Sequence, residues 1–435
     1  MLGQLASVSY AVIDTVMTGH ASPADLAAMG FGASVYSSVF MGLNGVISAL
    51  SPIVAHHYGA RRWEAIGRSY VQGLWLALLL SLVGMPLLAF PGPWLAHIPA
   101  DPAMKVLVTR YLRLLSLALP ATLLFRATYA FNVAVSRPKV MMIVQALGLA
   151  LKIWLNYALI FGHLGLPRLG AVGCGVSSLI VWWTLFLMGW AYTHLEPGYQ
   201  RFAIILARPR GSALLEHLRL GVPIGLSYAF EVTSFSFMAL LIARLGTTVM
   251  GGHQIISNLG GIAYQIPLSL ALATATVTAQ ALGAGDPRGA RRAAFTGIRM
   301  AVVTALATVV TIWVLRREIV HLYTDDDAVA GVTLSLIGYL VAFHVFDALQ
   351  GITAFVLRAY KIAVVPTVIY AVALWGLGLI GGYVVAFHPV LGGPRGASGM
   401  WLMQSVALCL TSLLLLGLYL LVLRQQRTEL RMSSW

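Results

Sequence analysis

Ala171–Tyr192 reads AVGCGVSSLIVWWTLFLMGWAY, 22 residues without one charged side chain. A helix rises ~1.5 Å per residue, so this stretch is about 33 Å long, enough to cross a hydrocarbon core of ~30 Å. Val71–Phe90, Met141–Phe161 and Met400–Leu423 are further apolar runs of spanning length. The whole chain shares their character: 59% of its 435 residues are hydrophobic and 10% are charged. A soluble domain carries about 25% charged residues. The chain is therefore expected to be an all-α membrane protein, with the lipid bilayer as its solvent.

Breaks in hydropathy give about twelve candidate transmembrane helices, with the fourth over 114–136, the seventh over 220–243, the ninth over 300–315 and the tenth over 328–357. The long polar stretch Glu196–Arg219 divides them into two six-helix lobes. The expected organisation is an N-terminal lobe over 1–195, a cytoplasmic linker over 196–219, a C-terminal lobe over 220–423 and a tail over 424–435. Loops after even helices, with the tail, hold 18 Lys and Arg, against 8 in loops after odd helices. Basic residues stay on the cytoplasmic side, so both termini and the linker are expected there. The first helix begins almost at Met1 without a basic leader, so a cleaved signal is not expected and the native start is expected upstream.

The halves resemble each other. Ile53-Val-Ala-His-His-Tyr-Gly-Ala-Arg61 parallels Val277-Thr-Ala-Gln-Ala-Leu-Gly-Ala-Gly285, and Pro167-Arg-Leu-Gly-Ala-Val-Gly173 parallels Pro394-Arg-Gly-Ala-Ser-Gly399. A duplication of six helices gives repeats of the same topology, and transporters built this way bind cargo between the halves near the midplane.

The net charge of +14 comes from basic residues scattered through loops, with no run that would suggest nucleic acid. Cys174 and Cys409 lie inside apolar runs, which excludes a disulfide framework, and no P-loop or nucleophile–base pair stands out. No enzyme and no cofactor are expected.

The acidic residues carry the functional signal. Of fourteen, only Asp14, Glu231 and Asp347 fall within apolar helices. A carboxylate at the centre of a membrane helix costs ~2.5–3.5 kcal/mol on insertion scales, so one retained there points to a cation path. Burial disfavours the charged form, so such a group can load and release a proton, and proton and cargo cation then compete for one negative charge. Two bases also lie within helices. Lys152 sits one turn before Asn156, and these two with Ser178 form the expected polar network of the N-terminal lobe. Lys152 reads either as a tethered countercharge for Asp14 or as a lysine snorkelling to the interface. Arg126 has nearby backbone carbonyls as possible partners. Tyr228, Phe230, Phe235 and Tyr264 lie near Glu231 or in the facing helix, where aromatic faces would suit flat organic cations.

Together these stretches resemble a known family. Val12-Ile-Asp-Thr-Val-Met-Thr-Gly-His20, Ala24-Asp-Leu-Ala-Ala28 and Leu50-Ser-Pro-Ile-Val-Ala55 are similar to the opening helices of the multidrug and toxic compound extrusion (MATE) family. Leu155-Asn-Tyr-Ala-Leu-Ile-Phe-Gly162 with Leu169-Gly-Ala-Val-Gly-Cys-Gly175 resembles its NorM branch, and Phe230-Glu-Val, Gly252-His-Gln-Ile255, Asp347-Ala-Leu-Gln350 and Leu357-Arg-Ala-Tyr-Lys361 extend the likeness. The resemblance implies a monomeric, two-lobe exporter of organic cations, such as drugs and dyes, in the cytoplasmic (inner) membrane, driven by Na⁺ or H⁺. It implies a coupling-cation site at Glu231 and Asp347 beside Tyr264. It ties Asp14 to drug binding or to proton coupling in the N-terminal lobe, and Asp325 and Gln254 to drug contact, with Phe235 a further candidate. In the DinF branch an asparagine and an acidic residue on helix five help bind sodium. Here those positions are Lys152 and Asn156, so no sodium site is expected in this lobe. The alternative, a lipid-linked precursor flippase of the same superfamily, would need a strongly basic cavity, whereas the helices carry three acids against two bases.

Overall fold

The computed structural model describes residues 2–97, 101–163, 165–390 and 393–432, with side chains described between Ser9 and Gln426. Among these residues the chain is helical throughout and contains no strand. Twelve long helices follow in order: α1 Leu2–Ala21, α2 Pro23–Gly59, α3 Trp63–Ala89, α4 Pro102–Ala134, α5 Pro138–Phe161, α6 Ala171–Leu195, α7 Gly211–Ala243, α8 Thr247–Gly283, α9 Pro287–Val314, α10 Asp327–Ala359, α11 Val364–Phe387 and α12 Gly396–Met432. The eleven from α2 onward are long and apolar enough to cross a membrane.

Several helices start earlier than hydropathy alone suggests. The fourth begins at Pro102 because Asp101 accepts from the Ala103 amide and Pro102 presets the first turn. The ninth begins at Pro287 with Asp286 accepting from the Gly289 amide, so Arg288, Arg291 and Arg292 ride on helix. Polar turns extend an apolar span without changing its hydropathy. That is why composition located the spans and missed their ends.

The chain divides into two compact units, Met1–Gly225 and Leu226–Trp435, with the division falling inside α7. The first part of α7 thus belongs with the first unit, where Gly221 and Gly225 press on the α2 backbone. A Cβ on Gly225 would lie 2.7 Å from the Gly42 carbonyl oxygen. Small residues four apart let two helix backbones approach this closely in lipid.

The two units repeat their turns. Left-handed residues end or begin corresponding helices at Arg61 and Gly285, at Ser136 and Lys361, and at Gly170 and Gly396, with φ pairs of 55 and 73°, 62 and 59°, and 56 and 55°. At the third pair the geometry matches in detail. Gly173 faces the backbone of Leu159 at the end of α5, and Gly399 faces the backbone of Ala386 at the end of α11. The glycine-rich motifs recognisable in sequence are therefore helix-start turns held against the preceding helix.

In the second unit, α7 lies along α11. Ser227 and Thr367 share a hydrogen bond of 2.9 Å, Ser234 donates to the Leu374 carbonyl at 3.2 Å, and the Trp375 indole donates to the Phe230 carbonyl at 3.2 Å. Here α11 widens into a π-helix over Ala371–Gly381. Such segments are rare and gather at functional sites. These bonds fix the rotation of α7, and with it the direction of Glu231.

Candidate functional site

The first unit builds a buried polar cluster from α1, α5 and α6. Lys152 is the charged side chain among the largest fully buried ones, with its side chain 2% exposed. Its ammonium lies 3.0 Å from Asp14 Oδ1, donates to Ser177 Oγ at 2.9 Å and to Ser178 Oγ at 2.6 Å, and approaches the Cys174 carbonyl at 3.3 Å. The Asn156 side-chain amide donates to the same Asp14 oxygen at 2.7 Å, and Ser177 donates to Asn156 Oδ1. A buried ammonium needs both countercharge and hydrogen-bond acceptors to offset its lost hydration. Lys152 has both, and it turns inward instead of snorkelling to the interface.

The second unit gathers two carboxylates and one guanidinium. Asp347 is buried on α10, and Gln350, one turn on, donates to its Oδ1 at 3.0 Å. Tyr370, at the end of the first α-helical stretch of α11, donates to Gln350 Oε1. Glu231 of α7 is in hydrogen-bonding reach of Gln350, and both Asp347 and Arg358 act on it electrostatically. Tyr264 of α8 is in the field of both carboxylates, with its hydroxyl against Gly351. A Cβ there would come within 2.8 Å of that oxygen, so glycine keeps the tyrosine in place.

A tenth helix ending at 357 leaves Arg358 outside it. The structure corrects this, because α10 runs to Ala359 and Arg358 is 8% exposed. Its guanidinium donates to the Tyr228 hydroxyl at 2.9 Å and lies 4.8 Å over the Tyr228 ring and 4.5 Å over the Phe355 ring. Ser177, Gln350, Tyr370 and Arg358 are all missing from the sequence-derived site. Gln350 and Arg358 stood inside recognised motifs, whereas nothing local marks Ser177 or Tyr370.

Other expected site residues lie elsewhere. Gln254 is exposed on α8 and Asp325 is exposed in the turn before α10. Both fall at the end of the unit where Gly251 meets Val329. Phe235 stands edge-on to Phe343 at 5.4 Å and to Trp401 at 6.4 Å, part of an aromatic group beside the carboxylates' helices. In the first unit Arg126 lies 5.5 Å over the Phe40 ring. Among the described residues no cluster of three or more His, Cys, Asp or Glu could hold a metal ion. Glu231 and Asp347 are a pair of carboxylates, suited to a proton or a weakly held cation.

Long apolar helices in two repeated units, with ionisable groups kept inside them, define a multi-pass membrane transport protein and not an enzyme. The family model MatE matches residues 1–158 and 223–384. A probable multidrug resistance protein NorM of Aromatoleum aromaticum is 41% identical, with 98% of this chain and 92% of that protein covered. The corresponding protein of Chromobacterium violaceum is 37% identical over 95% of this chain and 90% of its own length. The multidrug resistance protein NorM of Aliivibrio fischeri is 33% identical over 100% and 94%. The fold matches the crystal structure of a eukaryotic MATE transporter with a TM-score of 0.86 at 22% identity, covering 100% of this chain and 96% of that one. The chain belongs to the MATE family.

Proposed function

We propose that this chain is a multidrug efflux antiporter of the cytoplasmic membrane, exporting amphipathic organic cations in exchange for Na⁺ or H⁺ by alternating access of its two lobes. The observation that carries this reading is the pairing of Glu231 and Asp347 through Gln350 inside apolar helices. Two carboxylates held together resist being ionised at once, so the pair can pass a single positive charge, as a proton or as Na⁺, and release it. Asp14 in the first unit is already balanced by Lys152, which supports placing coupling in the second. Asp14, Asp325, Gln254 and Phe235 are the candidate contacts for cargo. The chain acts as a monomer with both termini cytoplasmic.

The test is dye efflux from everted vesicles under an imposed pH or Na⁺ gradient, each applied alone. One gradient should drive ethidium-like cations faster than anionic dyes of similar size. Equal export of both dye classes, or efflux indifferent to both gradients, would sink the proposal.

A further inference from the structure

The second unit holds three formal charges within its helices: the buried carboxylate of Asp347, the buried guanidinium of Arg358 and the half-buried carboxylate of Glu231. Asp347 and Arg358 are eleven residues apart on α10, three helical turns, and so share one face. Glu231 and Tyr228 are three apart on α7, so the carboxylate and the hydroxyl that receives Arg358 also share a face. The phenols of Tyr228, Tyr264 and Tyr370 complete the surroundings. The Tyr228 and Phe355 rings hold the guanidinium under two aromatic faces, fixing its position without consuming its charge. Among the described residues Arg358 makes no ion pair within 4.0 Å, unlike Lys152 with Asp14. Its charge acts on the site as a field and leaves both carboxylates able to take other partners.

We propose that Arg358 sets the charge of the carboxylate site. Its guanidinium cancels one of two negative charges, leaving a net charge of minus one that selects a single monovalent cation or proton. The inference rests on Glu231 and Asp347 being the coupling site, but its test does not require transport. A plainer role, closing the C-terminal end of α10 where basic residues are favoured by the helix dipole, makes a different prediction.

The experiment follows the thermal unfolding midpoint of purified full-length protein against NaCl and against CaCl₂, with choline chloride holding ionic strength constant. Arg358→Gln should respond to Ca²⁺ at concentrations about tenfold or more below those of the parent protein, because two uncompensated carboxylates attract a divalent ion. Asp347→Asn, which leaves Glu231 cancelled by Arg358, should lose any response to Na⁺. Asp347→Asn combined with Arg358→Gln restores a net charge of minus one and should regain it. Arg358→Lys keeps the charge and should keep the parent's preference. An unchanged Ca²⁺ response in Arg358→Gln overturns the proposal, as does a double variant no more responsive to Na⁺ than Asp347→Asn. If Arg358→Gln cannot be recovered folded, the comparison of Asp347→Asn with the double variant decides. Loss of the coupling assignment itself would show differently, as gradient-driven efflux surviving Glu231→Gln and Asp347→Asn.

Discussion

Lys152 and Asp14 form an ion pair of 3.0 Å across α5 and α1, with the lysine side chain 2% exposed. The pair answers a question that helical spacing left open. It also gives the first unit a resident cation, held by the same oxygens that an incoming one would seek.

Removing only the ammonium should therefore be costly. Lys152→Met leaves Asp14 partly buried against Asn156 without its countercharge, and breaking a buried pair costs ~3–5 kcal/mol. Adding Asp14→Asn removes the stranded charge and should recover most of that loss. Thermal unfolding of the two single variants and the double decides it. A single variant within about 0.5 kcal/mol of the parent would show the pair to be inert.

The coupling assignment predicts a sharper loss. Glu231→Gln and Asp347→Asn keep shape and remove charge, so each should abolish gradient-driven dye efflux while membrane insertion is retained. Parental efflux by both variants refutes the assignment.

Gly351 and Tyr264 should behave as a coupled pair. Gly351→Ala introduces a Cβ within 2.8 Å of the Tyr264 hydroxyl and should reduce efflux by displacing the phenol from the carboxylates. Tyr264→Phe removes the clashing oxygen, so the double variant should be more stable than Gly351→Ala alone. Additive losses in a double-mutant cycle would count against the contact.

Gly170 holds φ 56° and ψ −130° beside the Asp25 carboxylate, which accepts from the Ala171 amide at 2.9 Å. A side chain there is strained by ~1–3 kcal/mol in backbone terms alone and would also push on Asp25. Gly170→Ala should thus lower the unfolding midpoint more than Gly165→Ala, which shares a positive φ of 77° but meets nothing within 4 Å. Equal effects would remove the Asp25 contact from the account.

The two units repeat their turns far more faithfully than their charges. Arg61 and Gly285, Ser136 and Lys361, and Gly170 and Gly396 share backbone form, yet one unit closes a lysine on an aspartate while the other sets an arginine on a tyrosine hydroxyl. Backbone turns are local, so a short motif carries them through a duplication. Charge partners are not.

The sequence by itself determined the membrane class, the spans, the helix-start turns and the three carboxylates kept inside apolar helices. Each of these follows from what a bilayer charges for a polar group and from glycine's freedom at positive φ, both readable from a few consecutive residues. Only the tertiary structure decided that Lys152 turns inward, that Arg358 is buried, and that Ser177, Gln350 and Tyr370 join the sites. Lys152 meets Asp14 across more than a hundred residues, and Tyr228 receives Arg358 over a similar separation. Which face each helix turns toward its neighbour is set by packing along its whole length, as the hydrogen bonds between α7 and α11 set that of Glu231, and no single segment of sequence contains that rotation.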